Sequence, residues 1–320
     1  MIKRILILIS VIFIMVMLIL NPVKYIGSAF GGLYLFSVSV LPSLFPFFVF
    51  TKILTDNSGN FYKVFSKPVK FLYNLPSVSG YIFTLSVLSG YPVGAKLTAD
   101  FYEKGYINEN EAKRIASFTS TSGPFFILGT VGASMLISVS AGFVIFTAHV
   151  LSALICGLIF ARKKSAHTEN RYTPVINSKS DMSSIMESSI KSILLVGGYI
   201  CIFYIVFDIV LNTGILTPFD FILSKIFVFF NIPKNFSLAF LSGLMEVTRG
   251  CMEISALKAG IVTSAILCCG LISFGGLCIN MQALAFLSKC RVSALLFFLY
   301  KFCHMLISIL ICWLLCLIFM

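Results

Sequence analysis

Long apolar runs broken from within by Gly, Pro and Ser constrain this chain more than any other feature. Two breaks fall between Leu75 and Leu136: LSGYPVGAK at residues 88–96 and FTSTSGPFFILGTVG at residues 118–132. Within apolar sequence, such breaks predict helices interrupted at membrane depth, where irregular backbone is tolerated only if it is buried in protein or lines a cavity. The second half echoes the first at a single offset of 153 residues. Ser86-Val-Leu-Ser-Gly90 is matched by Ala239-Phe-Leu-Ser-Gly243, and Ser122-Gly123 by Gly275-Gly276. A broken-helix module present twice predicts a transporter-like membrane protein built from a repeat.

Composition agrees with a membrane setting. With 58% hydrophobic and 11% charged residues and a mean hydropathy of +1.00, 320 residues cannot form a soluble domain without leaving extensive apolar surface in water. The net charge of +12 comes from basic residues in short segments between apolar runs, so they act as topology signals and not as a nucleic-acid surface. All ten cysteines follow residue 155 and form no CxxC pair, which predicts small buried hydrophobes and neither disulfides nor a metal site.

Taken in order, residues 1–25 hold an N-terminal transmembrane helix, its Lys3-Arg4 start on the cytoplasmic side. Residues 26–161 form the first repeat: a span kinked at Pro42 and Pro46, an amphipathic interfacial helix over 60–74, a re-entrant hairpin with its tip near SGYPVG, a span over 115–138 broken at Gly123-Pro124, and a span over 140–161. Residues 162–187 are a polar cytoplasmic linker. Residues 188–320 repeat the plan, with an interfacial segment at 217–231, a second hairpin at 236–258, a span broken at Gly275-Gly276 and a last span from 293. The predicted fold is therefore all-α and polytopic, with about seven transmembrane helices, two re-entrant hairpins, two interfacial helices and inverted repeats. Seventeen basic residues fall in its cytoplasmic segments and four in its external ones, the bias of the positive-inside rule.

A broken helix frees N–H groups at one half-helix end and C=O groups at the other, and two hairpin tips meeting two broken spans would gather them into a binding site. The candidate residues are Ser89, Gly90, Thr119, Ser120, Thr121, Ser122, Gly123, Ser242, Gly243, Arg249, Ser273 and Asn280. For any one of these, packing through small residues is the competing explanation. Glu246, in LSGLMEVTRG, is the most specific candidate, because a carboxylate in a bilayer is costly unless paired or functional. Either Glu246 binds a hydroxylated substrate or handles a proton, or it forms a structural ion pair with Arg249 three residues on. Lys96 is expected to balance Asp100, while His149, Asp208, Lys301 and His304 are isolated polar groups expected to serve hydrogen bonding or an interface.

LPSLFPFFVF, SGYPVGAK, the SxTSGPxFILGTVG pattern and SGLMEVTRG together resemble the YlbJ family of sporulation integral membrane proteins from endospore-forming bacteria, whose members carry a nucleoside-recognition (Gate) domain. The resemblance covers about residues 26–320. It implies expression in the mother cell, a place in the cell or outer forespore membrane and a requirement for spore cortex formation. More distantly, the order of elements is similar to the core of concentrative nucleoside transporters, in which a Glu of the second hairpin holds the ribose; Glu246 occupies that place. Where that family has a Gln-Thr-Glu tip this chain has SGYPVG, and its broken span reads Ser273-Phe-Gly-Gly276 with Asn280 after it. The analogy also implies a symmetric homo-oligomer.

The expected function is non-enzymatic: secondary-transporter-like movement of a small solute or ion, without a cofactor and with Na+ or H+ as coupling ion, in a chain whose surroundings are the lipid bilayer. Two alternatives stand beside it, a non-transporting membrane factor that holds sporulation partners and a membrane enzyme acting on lipid-linked precursors.

Overall fold

A computed structural model describes residues 2–57, 71–161, 181–258 and 260–320, and every regular element within them is helical. The N-terminal helix α1 (Ile2–Leu20) ends at a bend, and Pro22 opens α2 (Pro22–Leu35), where a first-turn proline forfeits no ladder bond. The kink expected from Pro42 and Pro46 takes the form of a π-helical turn, Phe36–Val40, immediately ahead of α3 (Leu41–Asn57). Most of the expected interfacial helix over 60–74 lies outside the described residues; 71–73 are helical.

The first hairpin forms as predicted. Its limbs α4 (Val78–Ser89, 12 residues) and α5 (Val93–Glu103, 11 residues) pack together and are joined at Gly90–Pro92. At 1.5 Å per residue neither limb reaches 20 Å, so neither is long enough by itself to cross a hydrocarbon core of about 30 Å. The charged stretch after it is helical in its second part. Here α6 (Glu109–Ala116) begins with a reciprocal cap: Asn108 Oδ1 accepts from the Glu111 N–H at 2.9 Å and Glu111 Oε2 accepts from the Asn108 N–H at 2.8 Å. Asn108→Ala should cost about 1 kcal/mol. Faster amide exchange confined to residues 109–112 would register it.

The span expected over 115–138 is assembled from pieces: α6, a non-helical Ser/Thr stretch, and a π-helical segment, Phe125–Met135. It leads to α7 (Val139–Ala161). The expected linker 162–187 lies outside the described residues over 162–180, and its end is already helical. With Asp181 capping the Ser184 N–H at 3.2 Å, α8 (Met182–Asn212) starts six residues before the predicted boundary. The remaining helices are α9 (Thr217–Phe229), the second-hairpin limbs α10 (Phe236–Met245) and α11 (Val247–Ala256), the broken span α12 (Ile261–Phe274) and α13 (Gly276–Leu287), and α14 (Ala294–Phe319).

Among the described residues, five stretches are long and apolar enough to cross a membrane: Pro22–Leu54, Val139–Phe160, Met182–Asn212, Ile261–Cys290 and Ala294–Phe319. The other two expected crossings, α1 and the stretch ending in the π-helical segment, consist of shorter apolar pieces. The chain is an all-α polytopic membrane protein. Residues such as Val23 (86% exposed), Ile19 (75%) and Phe30 (67%) present a broad apolar exterior suited to lipid. Inside, α2 and α3 pack on α8, while α7 packs on α12 and α14. The Lys289 ammonium meets Glu103 Oε1 at 2.9 Å, tying the exit of the first hairpin to the end of α13. All ten cysteines are free thiols and eight are buried.

Candidate functional site

The two hairpin tips meet the two broken spans through the glycines that the sequence pairs. A Cβ on Gly90, whose φ is +79°, would stand 2.6 Å from the Gly123 nitrogen, so the first tip rests directly on the first break. In the second half a Cβ on Gly276 would stand 3.1 Å from the Gly243 carbonyl oxygen. The same pair of positions, repeated 153 residues on, makes a hairpin-to-break contact in both halves. Close backbone approach is the physical reason for glycine at Gly90, Gly123 and Gly276, while a Cβ on Gly243 would meet the Leu271 side chain at 2.3 Å.

Around the first tip, Ser86 Oγ donates to the Thr119 carbonyl and lies 2.8 Å from Thr121 Oγ1, while Ser89 Oγ bonds Thr51 Oγ1 of α3. Thr121 and Ser89 are thus held by protein partners. The Ser122 N–H, freed by the break, donates to His149 Nε2 at 2.9 Å.

The second tip lies one turn later than its sequence echo. Gly243 and Ser242 sit inside α10, and the helix breaks at Glu246, whose backbone is extended. The Glu246 carboxylate caps α11, Oε1 accepting from the Thr248 N–H at 3.1 Å and Oε2 from the Arg249 N–H at 2.7 Å. The side-chain ion pair between Glu246 and Arg249 does not form. The Arg249 guanidinium turns away to Asp208 Oδ1 at 2.8 Å and Glu253 Oε1 at 2.7 Å, over the rings of Tyr204 and Phe207. Arg249 therefore leaves the candidate binding set and Asp208 gains a role as its partner. Glu246 stays buried, and each of its oxygens keeps a lone pair beyond its capping bond.

At the second break, Gly275 is left-handed (φ +86°) and Asn280 Nδ2 donates to the freed Phe274 carbonyl at 3.1 Å. Ser273 Oγ lies 2.8 Å from His149 Nδ1, so one imidazole bridges the first break and the second. Three buried side-chain oxygens have no hydrogen-bond partner among the described residues: Ser120 Oγ, Ser242 Oγ and Asn280 Oδ1. All three lie at or within one turn of a hairpin tip or helix break.

His149, Lys301 and His304 form one cluster in the middle of this assembly and are not isolated. Lys301 Nζ donates to the Ser120 carbonyl at 2.8 Å and to the Tyr91 hydroxyl at 2.9 Å. Tyr91 in turn donates to the Ile272 carbonyl at 3.0 Å. The His304 ring is 4.8 Å from that of His149, and its Nε2 is 3.0 Å from the His149 carbonyl. The available signal was the three-residue spacing of Lys301 and His304 in an apolar helix, which puts both on one face.

A cavity of about 40 Å³ lies between the tips, lined by Tyr91, Ser122, Glu246, Thr248, Gln282 and apolar neighbours. That is room for water-sized occupants. Val196 and Gln282 also line an adjoining pocket of about 110 Å³, whose other walls include Lys52, Lys96, Asp100 and Ser192. Gln282, absent from the sequence-based candidates, is the polar residue common to both spaces.

Among curated proteins, the chain is similar to the sporulation integral membrane protein YlbJ of Bacillus subtilis (strain 168), with 28% identity over 318 residues that cover 91% of this chain and 77% of that protein. No family model matches the chain, and no solved structure matches it.

Proposed function

We propose, with the YlbJ family of sporulation integral membrane proteins as the family of this chain, that it works in the membrane of the sporulating cell as a transporter-like protein, passing a small solute or ion needed for cortex formation between its two hairpin tips. The observation that carries this reading is the cavity between the tips, walled by Tyr91 from one hairpin and Glu246 and Thr248 from the other and adjoining a larger pocket through Gln282. Unpartnered Ser120, Ser242 and Asn280 oxygens nearby add acceptors for a polar ligand or a coupling Na+ or H+. In this reading the repeats are inverted, the N-terminus is cytoplasmic, and alternating access comes from rocking one repeat against the other. A second reading, a non-transporting factor that holds cortex-assembly partners, draws on the small size of the same cavity.

Thermal melting of the purified protein against nucleosides, amino acids, cell-wall precursors and Na+ separates the two. A ligand at 100 times its Kd adds about 2.7 kcal/mol of stability. The expected result is a ligand that raises the Tm of the wild type and fails to raise that of Glu246→Gln. A flat response across the panel favours the partner-holding reading.

A further inference from the structure

We propose that the Lys301 ammonium is a built-in cation that does the work of a bound metal ion at the first helix break and locks the first hairpin tip onto it. Lys301 is 2% exposed on α14, and among the described residues no carboxylate pairs with it. A buried ammonium without a counter-ion is tolerated only if fixed dipoles replace water. Lys301 finds two: the Ser120 carbonyl at 2.8 Å and the Tyr91 hydroxyl at 2.9 Å.

The placement explains the choice of a cation. Ser120 lies in the non-helical stretch that follows the C-terminal end of α6. Carbonyls freed beyond a helix C-terminus stabilise positive charge, and an oxygen-lined position of this kind suits Na+ as well as an ammonium. The chain fills it covalently. The other titratable groups facing Lys301 are His149 and Cys156 from α7, Tyr91 from the first hairpin and, on its own helix, His304 and Cys303. None of them is a carboxylate. Because the Tyr91 hydroxyl donates a hydrogen bond to the Ile272 carbonyl, one ammonium ties together the first tip, the first break and the helix leading into the second break. A lock of this kind needs no sodium ion to hold, whether or not a solute passes between the tips.

Hydrogen–deuterium exchange on the purified full-length chain in detergent tests this, comparing wild type with Lys301→Met and Lys301→Arg in NaCl and in choline chloride. Lys301→Met should raise exchange in residues 88–94 and 118–123 by about tenfold or more, the size expected for losing hydrogen bonds to a charged group. Lys301→Arg, which keeps the charge, should raise it less, and Lys301→Met should exceed the wild type in both salts. Unchanged exchange in Lys301→Met would overturn the lock. If Lys301→Met does not fold, Lys301→Ala is measured with and without methylammonium. Protection restored by methylammonium and not by choline supports the proposal, and its absence refutes it. Failure here leaves the solute reading untouched, because that reading rests on Glu246 and a ligand-dependent Tm.

Discussion

Gly250→Ala is expected to lower stability by about 3 kcal/mol and the melting temperature in detergent by about 5 °C or more. In an ordinary helix interior the sign would be the opposite, since alanine is the better helix former by about 1 kcal/mol. Here the two limbs of the second hairpin touch backbone to backbone. A Cβ on Gly250 would stand 2.1 Å from Gly243 Cα and 2.5 Å from the Gly243 nitrogen, and a backbone cannot swing aside as a side-chain tip can. Gly198→Ala is the control. It lies in α8 with nothing within 4 Å of the added methyl, and should be neutral or mildly stabilising. Equal melting of the two variants would mean that the limbs of the hairpin are not in contact.

The second large effect is expected at Arg249. Its guanidinium joins Asp208 of α8 to Glu253 of α11, with Arg249 12% and Asp208 19% exposed, so this is an ion pair mostly withdrawn from water. Arg249→Met leaves both acids without their cation, and breaking such a pair from one side costs about 3 kcal/mol. Asp208→Asn removes one of the stranded charges. The double variant Asp208→Asn/Arg249→Met should therefore lose less than the sum of the two single losses, by about 1 kcal/mol or more in a thermal or denaturant cycle. Arg249→Lys should not restore the wild type, because one ammonium cannot reproduce a fork that meets two carboxylates while lying flat between two rings. Strict additivity would show that the three side chains act separately.

Both predictions concern contacts whose partners lie far apart in the chain, and that separates what was legible in the sequence from what was not. The hairpins, the breaks at Gly90 and Gly275, and the long apolar spans were legible, because Gly, Pro and hydropathy act through the local backbone. The pairing of Gly90 with Gly123 and of Gly243 with Gly276 had a visible trace in the offset of 153 residues, although only contact shows that close approach is the reason for it. The second hairpin tip was misjudged by one turn. Its position depends on Glu246 capping α11 with both carboxylate oxygens, a choice made by side-chain geometry. The Glu246 to Arg249 pair was one of two alternatives, and it rested on spacing alone. Spacing could not disclose that Asp208, 41 residues upstream, would compete for the same guanidinium at 2.8 Å.

The sequence by itself determined the class of the protein. Apolar runs of this length must be helical in a bilayer, because every backbone N–H and C=O there needs an internal partner, and Gly and Pro fix where that rule is broken. What the breaks face was decided only by the tertiary structure. His149, Lys301 and His304 look unrelated along the chain. They become one buried cluster because packing α14 against α7 brings their polar groups to carbonyls, hydroxyls and an imidazole within an apolar interior. A buried polar group must find such a partner, and which partner it finds depends on neighbours that only the folded chain supplies.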